Sequence, residues 1–320
     1  MGRILTIRPH HLLCAVCHAA GCRNVPVGDD KAEAIIKTIR SRPTIPLELV
    51  VDEDVDRGRE DFVDRFKDIE TCRRMGVRFN TVHPAFEIVK WLFANIESLE
   101  GICYWSYPAS DKWLECPHAR LESMKKMREP RRGRGEDLDG VGENIFLPVR
   151  TKAEMARVKE ASASAIYSAD RLYIRAHHLF CMMCVYGSGE NTDPLQDDNL
   201  YELFVKMRDN PEIPVTLIEG CCDVCPPCPA YYAPENICLH SYTRDQYKDL
   251  RTFQILGLAP GDTLPARELW ARLYDRFPTS AEVCGPYKAC EFTHVWKGCR
   301  EKSEGYEAAR KKRLLAQRLL

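Results

Sequence analysis

The run Gly220-Cys221-Cys222-Asp223-Val224-Cys225-Pro226-Pro227-Cys228-Pro229 places four thiols within eight residues, and no other stretch restricts the fold as much. Cys222, Cys225 and Cys228 stand at successive C-x2-C spacings. A loop here turns three sulfurs toward a common centre, as the iron–sulfur loops of bacterial ferredoxins do. Pro226, Pro227 and Pro229 fix their own φ and remove backbone donors, which disfavours helix and central strand and leaves a preformed ligand loop. A fourth ligand must come from elsewhere, with Cys238 downstream and Cys181 or Cys184 upstream as candidates. Buried thiols without a metal are the competing reading.

The chain has 320 residues, 45% hydrophobic and 29% charged, enough for two domains. No apolar run approaches the roughly 20 residues that cross a bilayer, and Met1-Gly2-Arg3-Ile4 opens no secretory signal, so a cytoplasmic protein without a membrane partner is expected. Met1-Gly2 with Thr6 formally fits a myristoylation pattern, but these residues begin a strand-like run. A net charge of -1 gives no general electrostatic case for nucleic acid. Sixteen cysteines without an export signal argue for metal or redox chemistry rather than a disulfide framework, in a reducing and anaerobic cell.

Ile7-Arg8-Pro9-His10-His11-Leu12-Leu13-Cys14-Ala15-Val16-Cys17 recurs as Ile174-Arg175-Ala176-His177-His178-Leu179-Phe180-Cys181-Met182-Met183-Cys184, and Pro43 to Val50 recurs near Pro211 to Ile218. This pattern reads as a tandem duplication. Strands are expected at Ile4 to Ile7, Leu47 to Val51, Leu172 to Ile174 and Val215 to Ile218, and helices at Lys31 to Arg40 and Asn199 to Met207, whose apolar residues recur at three-and-four spacing. Each copy is then strand, helices, strand, with two parallel strands joined by a right-handed crossover. Further helices are expected at Phe62 to Cys72, Ala85 to Ile96, Leu121 to Met127, Arg244 to Leu256 and Ala266 to Tyr274. The fold class is α/β, helix-rich with a small sheet. Residues 1–130 form a divergent first copy, 131–168 a linker loop and helix (Lys152 to Ser168), 169–283 the second copy with its metal site, and 284–320 a cysteine-containing tail. Its charged terminal helix, Glu301 to Leu320, reads as a solvated face.

Arg-x-His-His-Leu-Phe-Cys, a strand, and then Asp-Val-Cys-Pro-Pro-Cys-Pro resemble the domain of unknown function 1284 of bacteria and archaea, over roughly Leu172 to Tyr274. The resemblance covers Arg175, His177, His178, Cys181, Asp223, Cys225, Cys228, Pro229 and Cys238. It implies an iron–sulfur cluster and no particular reaction. The first copy keeps Arg8, His10, His11 and Cys14 but has Asp54-Val55-Asp56 and Arg59 where the second has its thiols. It reads as a half that lost its site. In the other reading Cys103 and Cys116 replace the missing pair, meeting Cys14 or Cys17, with Cys72 or Cys22 as a fourth sulfur.

The expected centre is one cubane 4Fe-4S cluster on Cys181, Cys225, Cys228 and Cys238. His177 and His178 are candidate catalytic residues, as cluster hydrogen-bond donors, proton carriers or ligands; capping and buried-carbonyl roles compete equally. Arg8 and Arg175 offset cluster charge or bind an anionic substrate, unless each forms an ordinary salt bridge. The function that follows is electron transfer to a redox partner protein, or reduction of a small-molecule substrate. A closed tetrahedral zinc site in an interaction module is the alternative, as is sulfur transfer through Cys184 or Cys221. Cys284, Cys290 and Cys299 have no recognisable ligand spacing.

Overall fold

The computed structural model describes residues 4–51, 61–106, 113, 115–128, 142–239, 242–284 and 304–316. Asp54 to Asp56, Arg59, Pro130 to Gly135, Cys290 and Cys299, on which several of the expectations fall, lie outside them. The chain divides into two compact units, one ending at Val149 and the other starting at Arg150. Helix-rich α/β architecture holds in both.

In the first unit, β1 (Leu5–Ile7) leads through α1 (Pro9–Ala19) and α2 (Asp29–Ser41) to β2 (Pro46–Leu49), which pairs parallel to β1 with Leu5 opposite Leu47 and Ile7 opposite Leu49. The crossover follows from the pattern: Ile35, Ile36 and Ile39 of α2 and Leu47 and Leu49 of β2 are all buried. Then come α3 (Asp61–Met75), β3 (Val82–Pro84), α4 (Ala85–Asn95) and α5 (Ser123–Arg128). β3 adds an antiparallel strand to β2, making β2 central. Three residues are too few for a periodic signal, and the sequence reading did not include this strand.

The second unit begins with α6 (Lys152–Ser168), whose Thr151 hydroxyl accepts from the Glu154 N–H at 3.1 Å, the first half of a Thr-x-x-Glu capping box. Expected as part of a linker, α6 instead packs on α8 (Leu200–Asp209), with Lys159 Nζ 2.7 Å from Glu202. β4 (Leu172–Arg175), α7 (His178–Tyr186), α8 and β5 (Pro214–Ile218) again give a parallel strand pair, Leu172 opposite Val215 and Arg175 opposite Ile218. The hairpin β6 (Tyr231–Tyr232) and β7 (Ile237–Cys238) follows, turning through Asn236 at φ +51°. α9 (Tyr242–Leu256), β8 (Thr263–Pro265) and α10 (Ala266–Arg276) come next, with β8 antiparallel to β5, and α11 (Ala281–Cys284) closes this stretch.

The last described helix, α12 (Glu304–Lys312), is not simply a solvated face. Tyr306 and Ala309 are buried and the Tyr306 hydroxyl donates to Phe277 O at 2.9 Å. Gly305 and Gly187 make the contact with α7 possible, since a Cβ on either would collide with the facing backbone. Among the described residues no helix is long and apolar enough to cross a membrane.

Candidate metal centre

The cysteine loop leaves β5 and folds as a series of turns of period three. Cys225 N–H donates to Cys222 O and Cys228 N–H to Cys225 O, both at 2.9 Å, and Tyr231 N–H to Cys228 O at 3.0 Å. The repeated turns bring the sulfurs of Cys225 and Cys228 to one cavity. The prolines stand at the positions whose N–H the turns do not use.

Three anchors hold the loop. Tyr173 N–H of β4 donates to Asp223 Oδ2 at 2.7 Å and Asp223 N–H returns to Tyr173 O at 3.0 Å. Asn199 donates through Nδ2 to Asp223 O at 2.9 Å and through its backbone N–H to Val224 O at 3.1 Å. Arg150 Nη1 donates to Pro226 O at 2.6 Å and Cys228 O at 2.8 Å, and its guanidinium lies 5.9 Å from the Tyr231 ring centroid. Neither Arg150 nor Asn199 is marked by any motif; they matter because they supply donors to the loop carbonyls of Asp223, Val224, Pro226 and Cys228. Arg150→Ala should weaken the loop by about 1.5–3 kcal/mol, the worth of hydrogen bonds from a charged donor. Arg150→Lys should restore it only in part, because the Nε pair with Glu154 and the guanidinium over the Tyr231 ring are lost. Metal release to a chelator, expected to be several-fold faster in Arg150→Ala and less so in Arg150→Lys, is the measurement.

Sulfurs gather on two scales. Cys181, Cys221, Cys225, Cys228 and Cys238 line one cavity of about 210 Å³, together with Arg175, His178, Asp198 and Asp245. All four thiols expected as ligands are thus brought to one cavity, Cys181 from α7 and Cys238 from β7. A tighter group lies beside it: one ligand atom from each of His178, Cys222 and Cys225 falls within 4.8 Å of the others, a set able to hold a metal ion. His178 Nδ1 is 3.2 Å from Cys222 Sγ. Cys222 was absent from the expected ligand set.

Protonation follows from these contacts. Hydrogen bonds from the Cys221 and Cys222 thiols hold Cys225 well below the usual thiol range, against burial and with help from His178. The bond to Cys225 pushes Cys221 up, with burial adding to it; for Cys222 burial comes first. Burial lowers His178 to about 3, which leaves a neutral imidazole, the form that binds metals. Asp198, at the cavity wall, is raised to about 6 by burial. Nothing in its local sequence marks it.

His177 has a different place from His178. Its Nδ1 lies 2.8 Å from Asp249 Oδ1, and its N–H donates to the same oxygen at 3.0 Å. Arg175 donates to Asp249 Oδ2 from Nε at 2.9 Å and Nη2 at 2.6 Å. Arg175 therefore makes a buried salt bridge while also lining the cavity. Arg8 makes its pair with Asp68 at 2.7 Å, and His10 meets Asp68 Oδ1 through Nδ1 at 2.6 Å and through its N–H at 3.0 Å. Each carboxylate caps, from a distant helix, a helix start that has no side-chain cap of its own.

The segment carrying these sulfurs can be compared with known families. Residues 197–295 match the family "Protein of unknown function (DUF1284)". The DUF1284 match takes in the cysteine loop, β6, β7, α9, β8 and α10, and begins after Arg175 to Cys184. The His-His-Leu-Phe-Cys segment on which the resemblance partly rested is thus outside it. No curated protein and no solved structure matches the chain.

Proposed function

We propose that the second unit binds an iron–sulfur cluster, of the 4Fe-4S type, on Cys181, Cys225, Cys228 and Cys238, and that the protein serves a redox role in the cytoplasm. Its electrons pass to a partner protein or to a small molecule. The observation that carries this reading is the cavity of about 210 Å³ ringed by sulfur. A mononuclear zinc site closes on its ion at about 2.3 Å from each sulfur and leaves no such space. The ligand set also fits the group chemically, since the neighbouring thiols hold Cys225 below the usual thiol range and Arg175, at the wall, offsets negative charge. Bound there, a cluster would supply one-electron chemistry. Asp198 is placed to hold a proton and His178 to hydrogen-bond sulfur. A cytoplasmic setting suits a loop whose Cys221, Cys222, Cys225 and Cys228 form no disulfide.

We also read the two units as copies of one ancestral unit. Support comes from equivalent bonds: Ala85 N–H to Ile45 O and Ala266 N–H to Ile213 O at 3.0 Å, Asn80 N–H to Leu49 O and Gly261 N–H to Leu217 O at 2.7 Å.

A second reading, a structural zinc ion on His178, Cys222 and Cys225, is favoured by the compactness of that group alone. Anaerobic purification separates the two. The cluster reading expects brown protein with near-stoichiometric iron and acid-labile sulfide, absorption around 400 nm, and loss of both in Cys225→Ala/Cys228→Ala. Colourless protein with one zinc per chain, lost in Cys222→Ala, would reject it.

A further inference from the structure

We infer that the first unit has an iron–sulfur site of its own, formed by Cys14 and Cys17 of α1 with Cys103 and Cys116 of the segment between α4 and α5. This goes beyond the cluster proposed above and uses none of its residues.

Cys14 and Cys17 stand three residues apart on α1 and are both buried, so they share the inward face of the helix. After α4 the chain turns through Gly101 at φ +75°, and the buried Cys103 follows, its N–H donating to Leu99 O at 2.9 Å. Cys116 N–H then donates to Cys103 O at 2.8 Å, which joins the two cysteine backbones although their separation in sequence offers no ligand spacing. All four thiols lie within electrostatic reach of one another: Cys103 feels Cys116, Cys14 and Cys17, Cys17 feels Cys14 and Cys116, and Cys14 feels Cys116.

Charge and spacing decide what the site takes. Thiolate ligands bring negative charge into a site whose Cys14, Cys17 and Cys103 are buried. The buried Lys67, held by Asp64 at 2.9 Å, faces Cys14 and Cys103 and offsets the negative charge that follows. Tetrahedral zinc with bonds of about 2.3 Å needs sulfurs about 3.8 Å apart. Among the described residues, no three of these sulfurs lie within 4.8 Å of one another. The wider spacing suits a cluster in which each thiolate binds a different iron.

The test uses the full chain, purified anaerobically and reconstituted with ferrous iron and sulfide. The wild type should bind roughly eight irons, twice the content of one cubane. Cys103→Ala/Cys116→Ala should lose half, with an unchanged far-ultraviolet circular dichroism spectrum. Cys225→Ala/Cys228→Ala should keep that half. Since two alanines can unfold the unit, Cys116→Ser at the partly exposed position is the second variant, expected to alter the Mössbauer signal of half the iron while the fold persists. Wild-type iron content in the first double variant, an unaltered Mössbauer spectrum in Cys116→Ser, or zinc in place of iron at these thiols overturns the inference. Were the second-unit cluster the mistaken one, Cys225→Ala/Cys228→Ala would retain all the iron that the wild type binds, and the two failures are thereby distinguished.

Discussion

Asp249→Ala should destabilise the second unit by about 3–5 kcal/mol, the cost of breaking a buried ion pair from one side. The Asp249 side chain is fully buried and Arg175 nearly so. Burial alone would raise the Asp249 carboxyl, but the His177 charge and hydrogen bonds, with the Arg175 charge, hold it below the usual carboxylate range. Without it, Arg175 keeps a charge with neither solvent nor its carboxylate partner, and the first turn of α7 loses its acceptor. β4, α7 and α9 meet at this carboxylate, so the change should also loosen the candidate metal centre, because His178 and Cys181 ride on α7. Urea denaturation with bound-metal content gives the measurement. A loss under about 1 kcal/mol, the range of an exposed pair, would mean that the carboxylate is not the hub of the unit. Asp249→Asn, which keeps the shape and an acceptor, should fall between.

Acid should destabilise the metal-free protein in two steps. His11 is lowered to about 4, first by burial and then by the neighbouring His10 and Lys31 charges, against about 6.5 unfolded. Between those values the unfolded chain binds a proton that the native ring refuses, so stability is lost as pH falls from about 6.5 to about 4. Screening at this partly exposed ring limits the effect to roughly 1–2 kcal/mol. Its Nδ1 is buried with no hydrogen-bond partner among the described residues, as expected for a ring that resists charging. The second step belongs to Asp245 and Asp249, both held low by His177 and Arg175 against burial. Their contribution is present above the unfolded carboxylate pKa of about 3.9 and disappears as pH falls below it toward the folded values. Urea midpoints from about pH 2 to 8 should show both steps. Because His178, lowered to about 3 by burial, acts in the same upper window, His11→Gln should reduce the upper step without removing it and leave the lower one unchanged. A profile that does not change in that variant would sink the assignment.

Local chemistry was enough for much of this. Three prolines among four thiols spell a loop whatever surrounds it, because φ and the missing donors belong to the residues themselves. The three-and-four spacing of Ile35, Ile36 and Ile39 and the apolar run at Val215 to Ile218 mark elements for the same reason: helix and strand periods are properties of the backbone. Repetition of Arg-x-His-His-x-x-Cys marked two equivalent positions, but what the first histidine does there depends on Asp68 and Asp249, which stand on distant helices. A cap supplied through space leaves no signature at the helix start. The same holds for Arg150 on the loop carbonyls and for Cys103 beside Cys116: each pairing joins residues whose separation is set by packing. Residue type and spacing therefore determined which groups can bind a metal, while tertiary structure decided which thiols meet, which one is held below the usual thiol range and which histidine is already engaged, because burial and charge act through space rather than along the chain.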